Sequence, residues 1–544
     1  MTPDWITCAR DDATRRGLPQ VAALLDALHA AVERLRAADW TEDFAGNAQR
    51  VTQAGSAAAT PGEPPGTSPA GAATQPETAS QGAPINNVAA SVERSRELLP
   101  GIATIAEAAM HLRRGAVSAV ELTEAALDRI AATDPQLNAF ITRTPELARA
   151  QAAAADADFR AGVDRGPLQG IPISLKDLID VEGLPTTAAS RVRAGHVAAQ
   201  DAPVVARLRR GGAVIVGKTN LHEFALGTTN EDSAYGPARH PADPERSPGG
   251  SSGGSAVSVV TAMCLGTVGS DTGGSIRIPS ALCGLVGLKP RYGEITCEGV
   301  VPLSRHLDHL GPLVRTVEDA RLMYEVLAGL RPQVGNAVPL SPSALTLGLP
   351  RTFFLDRLQP EVRAAFDAGL ERLQQAGVTV RTVHVPHASD AAAIYLPLVL
   401  AEAAALHAVT LETRGEDYTP PVRARLEMGR YVPGEDFARA LRGQEILRTE
   451  VDAALAGCDA LVVPTVPILA PRLGTSTVAI DGVEASVRNV TLRLTQPFNL
   501  TRHPAITLPL PVPAGTLPAG LQLVGYDTTR LLDVAEAVER ALAG

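Results

Sequence analysis

Pro248-Gly249-Gly250-Ser251-Ser252-Gly253-Gly254-Ser255 and Gly269-Ser270-Asp271-Thr272-Gly273-Gly274-Ser275-Ile276-Arg277 flank the apolar run Ala256-Val257-Ser258-Val259-Val260-Thr261-Ala262-Met263-Cys264-Leu265. A flexible tether has no reason to run into a segment that must be buried, nor to be matched by a second glycine-serine cluster at its far end. Glycines let a substrate approach neighbouring hydroxyls closely, and successive free backbone N–H groups beside a serine are what an oxyanion hole requires. The segment therefore predicts an acyl-transfer site. Gly249-Gly250-Ser251-Ser252-Gly253 also fits the G-x-S-x-G pattern of a nucleophile elbow, which follows a buried strand. Here Arg239-His240-Pro241-Ala242-Asp243-Pro244-Glu245-Arg246-Ser247-Pro248 precedes it, and its prolines and charges argue against such a strand.

Outward from this segment, strand-like runs occur at 171–175, 213–216, 285–288, 345–349, 378–383, 460–463, 505–508 and 521–524, with helical patterns between most of them. That alternation predicts an α/β fold with a largely buried sheet. Residues 1–51 read as a helical appendage, because Val21, Leu24, Leu25, Leu28, Val32 and Leu35 recur at helical spacing. Residues 52–88 read as a disordered linker, since 52–82 is made almost wholly of Ala, Gly, Pro, Thr, Ser and Gln and cannot bury enough apolar surface to order itself. Residues 89–544 remain as the catalytic domain.

The 544 residues are 45% hydrophobic but only 3% aromatic, so a large core must be built mainly from Ala, Val, Leu and Ile. A net charge of -10 offers no basic face for a phosphate backbone and argues against nucleic acid as a direct partner. Five scattered cysteines give neither a disulfide framework nor a CxxC metal pair. The first residues lack the pattern of a signal peptide, and no apolar run reaches the roughly 18 residues needed to cross a bilayer. These features predict a cytoplasmic protein with reduced thiols and no membrane contact.

The motifs resemble the amidase signature family. The match runs through Gly170-Ile171-Pro172-Ile173-Ser174-Leu175-Lys176-Asp177, Gly217-Lys218-Thr219-Asn220-Leu221-His222-Glu223-Phe224 and the whole of 248–279. It continues through Gly284-Leu285-Val286-Gly287-Leu288-Lys289-Pro290 and Leu307-Asp308-His309-Leu310-Gly311-Pro312, and covers roughly residues 100–544. The resemblance implies a central mixed, mostly parallel sheet with helices on both faces, and a Ser-cisSer-Lys triad. On the matching positions Ser275 is the nucleophile, Ser251 the bridging serine on a cis peptide, and Lys176 the base. The physical logic stands beside the family name. A lysine takes a serine's proton only when neutral, which moves its pKa from about 10.4 toward 7 or 8 and costs on the order of 4 kcal/mol, supplied by burial. Lys176 follows the apolar run 171–175 and falls at a strand end.

Thr272, Gly273, Gly274 and Ser275 are the candidate oxyanion hole. Asp271 and Arg277 read as an ion pair bracing that turn. Ser252 and Ser255 read as backbone supports, and Thr187 and Asp177 as more distant ones. His222, His240, His306, His309 and His407 lie in or near matched segments, but only the pair His306 and His309 has HxxH spacing, so neither a metal nor a cofactor is expected. His306 stands where the family commonly has serine, and Thr501-Arg502-His503-Pro504 departs from a usual Thr-Gly-X-Pro, which bears on the pocket shape. The resemblance implies an amidohydrolase acting on a small carboxamide or carbamate, and leaves a homodimer open. The alternatives are the glutaminase subunit of a tRNA-dependent amidotransferase and a catalytically silent binding protein on the same fold. The added N-terminal region favours the free-standing amidase.

Overall fold

A computed structural model of the protein describes residues 4–38, 97–330 and 339–544; the linker expected at 52–88 lies outside the described residues. The strands are β1 (Phe140–Arg143), β2 (Pro172–Lys176), β3 (Val214–Thr219), β4 (Gly266–Asp271), β5 (Val286–Lys289), β6 (His309–Val314) and β7 (Thr346–Pro350). They continue with β8 (Thr379–Val383), β9 (Ala460–Pro464), β10 (Thr477–Ile480), β11 (Val483–Ser486), β12 (Ala505–Pro509) and β13 (Gly520–Val524). Eleven form one sheet in the order β1-β3-β2-β4-β6-β5-β12-β13-β9-β7-β8, while β10 and β11 make a separate hairpin. Helices flank the large sheet, as an α/β architecture requires.

The sheet is mixed, but it is not mostly parallel. Only β2–β3, β2–β4, β7–β8 and β7–β9 pair in parallel, and the other neighbours in the large sheet, including the whole centre from β4 through β6, β5, β12 and β13 to β9, are antiparallel. The reason lies in the connections. The helices Pro203–Arg210, Gly253–Val260, Pro360–Gln375 and Gly434–Leu455 directly precede β3, β4, β8 and β9, the strands that build the parallel blocks. In the centre β5 returns to β6 and β12 to β13 through loops without a helix between them, which antiparallel neighbours tolerate and parallel ones do not. Strands β4 and β6 escape a propensity reading because they carry Gly266, Gly269, Gly311 and Pro312, residues normally depleted from strands.

Burial explains which segments position the site. Every residue of β2, β4 and the helix Gly253–Val260 is buried. The apolar run between the glycine-serine clusters thus leads from a fully buried helix into a fully buried strand. Its helix leads away from Ser251 and its strand leads back toward Ser275.

The second N-terminal helix, Pro19–Ala37, packs on Ala391–Arg414, Pro420–Gly429 and Gly434–Leu455, and the first, Trp5–Arg15, packs against the second. Val21, Leu25, Leu28, Val32 and Leu35 are wholly shielded. Arg16 Nη2 meets Glu427 Oε2 at 2.8 Å, Arg36 Nη2 meets Asp436 Oδ2 at 2.7 Å, and Tyr431 Oη donates to Asp12 at 2.7 Å. Among the described residues one helical stretch, Ala388–Asp417, is long and apolar enough to cross a membrane by length and composition. Here it serves as a core helix, with Ile394, Leu398, Val399, Leu400 and Ala403 shielded inside the fold.

Candidate active site

Lys176 ends β2, and because β2 and β4 are parallel neighbours, the Lys176 end of one meets the Ser270 end of the other. The Lys176 ammonium nitrogen lies 2.7 Å from Ser251 Oγ and 2.8 Å from Ser270 Oγ, its two hydrogen-bond partners. The side chain is wholly buried, and burial lowers its pKa to about 7 against the smaller opposing pull of Asp271 and Asp308. Without a hydrogen-bonded carboxylate, the charged form has little to hold it there. The Gly250–Ser251 peptide is cis.

Ser275 stands across the same junction. The Ser252 N–H donates to the Ser275 carbonyl at 3.3 Å, and Ser252 Oγ donates to the Ser270 carbonyl at 3.2 Å, so the two glycine-serine clusters are joined directly. Ser275 lines a narrow pocket together with Thr272, Gly273, Gly227, Tyr395, Arg488 and Leu492. The N–H groups of Gly273, Gly274 and Ser275 have no protein acceptor among the described residues. Gly274 has φ +139°, and a side chain there would collide with Thr495, whose hydroxyl donates to the Gly273 carbonyl at 2.6 Å. The turn is thus shaped by glycine and pinned by the residue that precedes the helix Gln496–Leu500, more than 200 residues away.

Asp271 and Arg277 form a two-pronged ion pair, 3.0 Å from Arg277 Nε to Asp271 Oδ2 and 3.0 Å from Nη2 to Oδ1, with both side chains fully buried. Arg277 also donates to the Thr495 carbonyl, Gln522 Oε1 and Asn499 Oδ1, and Asn499 Nδ2 returns a bond to Asp271 at 2.8 Å. Burial works to raise the Asp271 pKa, but Arg277 and Lys289 outweigh it and hold the carboxyl well below its usual range. Both of its oxygens are bonded within this brace, Oδ2 also accepting from the Ile276 N–H at 3.2 Å.

Further out, Asp177 accepts from Thr187 and sits 2.9 Å from Lys218, while Ser255 shares a 2.7 Å bond with Thr219. The histidines bond elsewhere: His309 Nδ1 with the Leu307 carbonyl, His306 with Glu402, His240 with the Leu282 carbonyl, and His407 with Tyr418. His222 lies 3.1 Å from Asp232. Among the described residues no group of three His, Cys, Asp or Glu side chains could hold a metal. The departures at His306 and 501–504 sit outside the pocket lining: Arg502 stacks over Tyr292, and His503 approaches Asp452 at 3.1 Å.

Sequence reasoning missed Ser270, Lys218, Thr495, Asn499, Gln522, Tyr395 and Arg488. Ser270 was within reach, since it lies inside the second glycine-serine cluster at the end of the strand beside Lys176. Lys218 was within reach too, inside the matched segment 217–224, whereas the others come from segments singled out by no motif.

The chain belongs to the amidase family: the family model described as Amidase matches residues 121–529. It is 39% identical over 473 residues to a glutamyl-tRNA(Gln) amidotransferase subunit from Roseiflexus sp. (strain RS-1), a match covering 80% of this chain and 96% of that protein. Among solved structures, one described as an amidase superposes with a TM-score of 0.76 at 39% identity, covering 81% of this chain and 100% of the other. The corresponding glutamyl-tRNA(Gln) amidotransferase subunit from Thermotoga maritima superposes with a TM-score of 0.64 at 31% identity, covering 78% and 91%. The curated relatives thus carry a name that fits the amidotransferase alternative rather than a free-standing amidase.

Proposed function

We propose that the chain hydrolyses a carboxamide or related C–N bond through an acyl-enzyme on Ser275. The observation that supports this most strongly is the buried Lys176 amine, 2.7 Å from Ser251 and without a hydrogen-bonded carboxylate, at the junction where the second glycine-serine cluster sets Ser275 on a pocket wall. Neutral Lys176 takes the Ser251 proton as Ser251 takes that of Ser275, and Ser275 Oγ attacks the carbonyl carbon. The N–H groups of Gly273, Gly274 and Ser275 receive the negative charge on the oxygen. The proton held by Lys176 returns through Ser251 to the leaving nitrogen, the C–N bond breaks, and water releases the acid by the same route in reverse.

The relatives' name supports a glutaminase subunit that passes ammonia to a protein partner. A second reading, a free-standing amidase, is supported by the higher TM-score to the structure described as an amidase and by the docked N-terminal helices. Either way, a fluorophosphonate should phosphonylate Ser275, with loss of fluoride, and no other serine by peptide mass spectrometry, and Ser275→Ala should abolish ammonia release from every amide tested. Labelling of Ser251 instead would return the mechanism to a nucleophile elbow. Ammonia release from glutamine that needs an added partner protein favours the first reading; release from small amides by the chain alone favours the second.

A further inference from the structure

The pocket wall carries a cation that the protein does not balance. Arg488 lies on the short helix Val487–Leu492 and lines the same pocket as Ser275, beside Tyr395. Its guanidinium makes no hydrogen bond or ion pair with any described residue, and its Nε is shut off from solvent without a partner. The surrounding charges do not supply a counter-ion. Arg425, the neighbouring cation, faces Asp232 at 3.6 Å, and that carboxylate is also shared with His222 at 3.1 Å. Asp271 is committed to Arg277. Asp308 accepts from Thr272 Oγ1 at 2.6 Å and from the Leu303 and Ser304 N–H groups, and burial raises its pKa to about 6. Burial and the nearby Arg425 lower the Arg488 pKa to about 10, which still leaves it charged at neutral pH.

Arg488 is half-buried in the pocket wall with its Nε unpartnered, and a carboxylate reaching its guanidinium there forms a two-pronged, charge-assisted pair. The pocket around it is narrow, so the group that reaches the guanidinium must be small. Leu226, Leu303 and Leu492 supply the apolar part of the wall. We infer that the substrate carries a carboxylate close to the scissile amide, and that Arg488 binds it as the specificity-determining residue of the pocket. This rests on the acyl-enzyme reading of Ser275.

The test compares amides with and without the negative charge: malonamate and succinamate against propionamide and butyramide, assayed by ammonia release. The expected result is a kcat/KM for the carboxylated member at least about 50-fold above its neutral counterpart, a ratio that falls toward one in Arg488→Gln and is partly restored in Arg488→Lys. A binding measurement separates this from catalysis. Calorimetric titration of Ser275→Ala with succinamate should show saturable binding that is lost when Arg488→Gln is added to the same protein. Equal turnover of charged and neutral amides, or a charge preference that survives Arg488→Gln, overturns the inference and leaves the Ser275 reading standing. Failure of Ser275 to label removes that reading itself.

Discussion

Replacing Lys176 with methionine keeps most of the buried volume and removes the amine, and its effect on stability should depend on pH in a direction that the burial dictates. The native lysine titrates at about 7 instead of its ordinary 10.5. Between those values the unfolded chain binds a proton that the folded chain does not, so wild-type stability rises with pH across that window and is flat below it. From about pH 7 to about pH 9 the gain is about 2 kcal/mol, a slope of about 1.4 kcal/mol per pH unit reduced at its lower end by partial protonation of the native amine. The variant also leaves Ser251 and Ser270 without the amine, a loss on the order of 1–3 kcal/mol per hydroxyl. That loss does not vary with pH and cancels when the two conditions are compared. Urea denaturation of wild type and Lys176→Met at both pH values measures the effect. At the lower pH the methionine protein should be at its most favourable relative to wild type, and by the higher pH it should have lost about 2 kcal/mol of that standing. A stability difference that stays constant, or moves in the variant's favour as pH rises, would refute the claim that Lys176 is held neutral by burial.

The same lowered pKa predicts that kcat/KM rises with pH through about 7; a limb that disappears on changing His222 or His309 rather than Lys176 would reassign it to an imidazole. Gly274→Ala should cost about 1–3 kcal/mol through strain at φ +139° and collision with Thr495, and should lower turnover by displacing the Gly273 and Ser275 N–H groups; full activity in a folded variant would show that this turn does not hold the oxyanion. Deleting residues 1–38 uncovers the surface that shields Val21, Leu25, Leu28, Val32 and Leu35, so thermal melts should shift down by an amount matching several kcal/mol. Turnover per folded molecule should stay within about tenfold, because Lys176, Ser251 and Ser275 all come from other elements; a folded truncation reduced a hundredfold at saturating substrate would place the N-terminal helices in the active site.

Much of the site was legible along the chain because its parts are local. The glycine-serine clusters, the buried segment between them and the lysine closing an apolar strand are properties of neighbouring residues, and residue type alone tells which of them can carry a hydroxyl, a proton or an N–H group. The N-terminal helical repeat of apolar positions was legible for the same reason. The pairing directions of the central strands were not, because strand patterning reports burial and says nothing of whether a loop or a helix returns the chain. Nor was the docking of the N-terminal helices, since an apolar stripe does not name the surface that covers it. The brace around Asp271 draws on Thr495, Asn499 and Gln522, more than 200 residues further along the chain, and Arg488 reaches the pocket from a segment with no motif of its own. Only the folded chain decides such contacts. Their energy comes from charges and dipoles brought within about 3 Å by packing, and sequence distance carries no information about that separation.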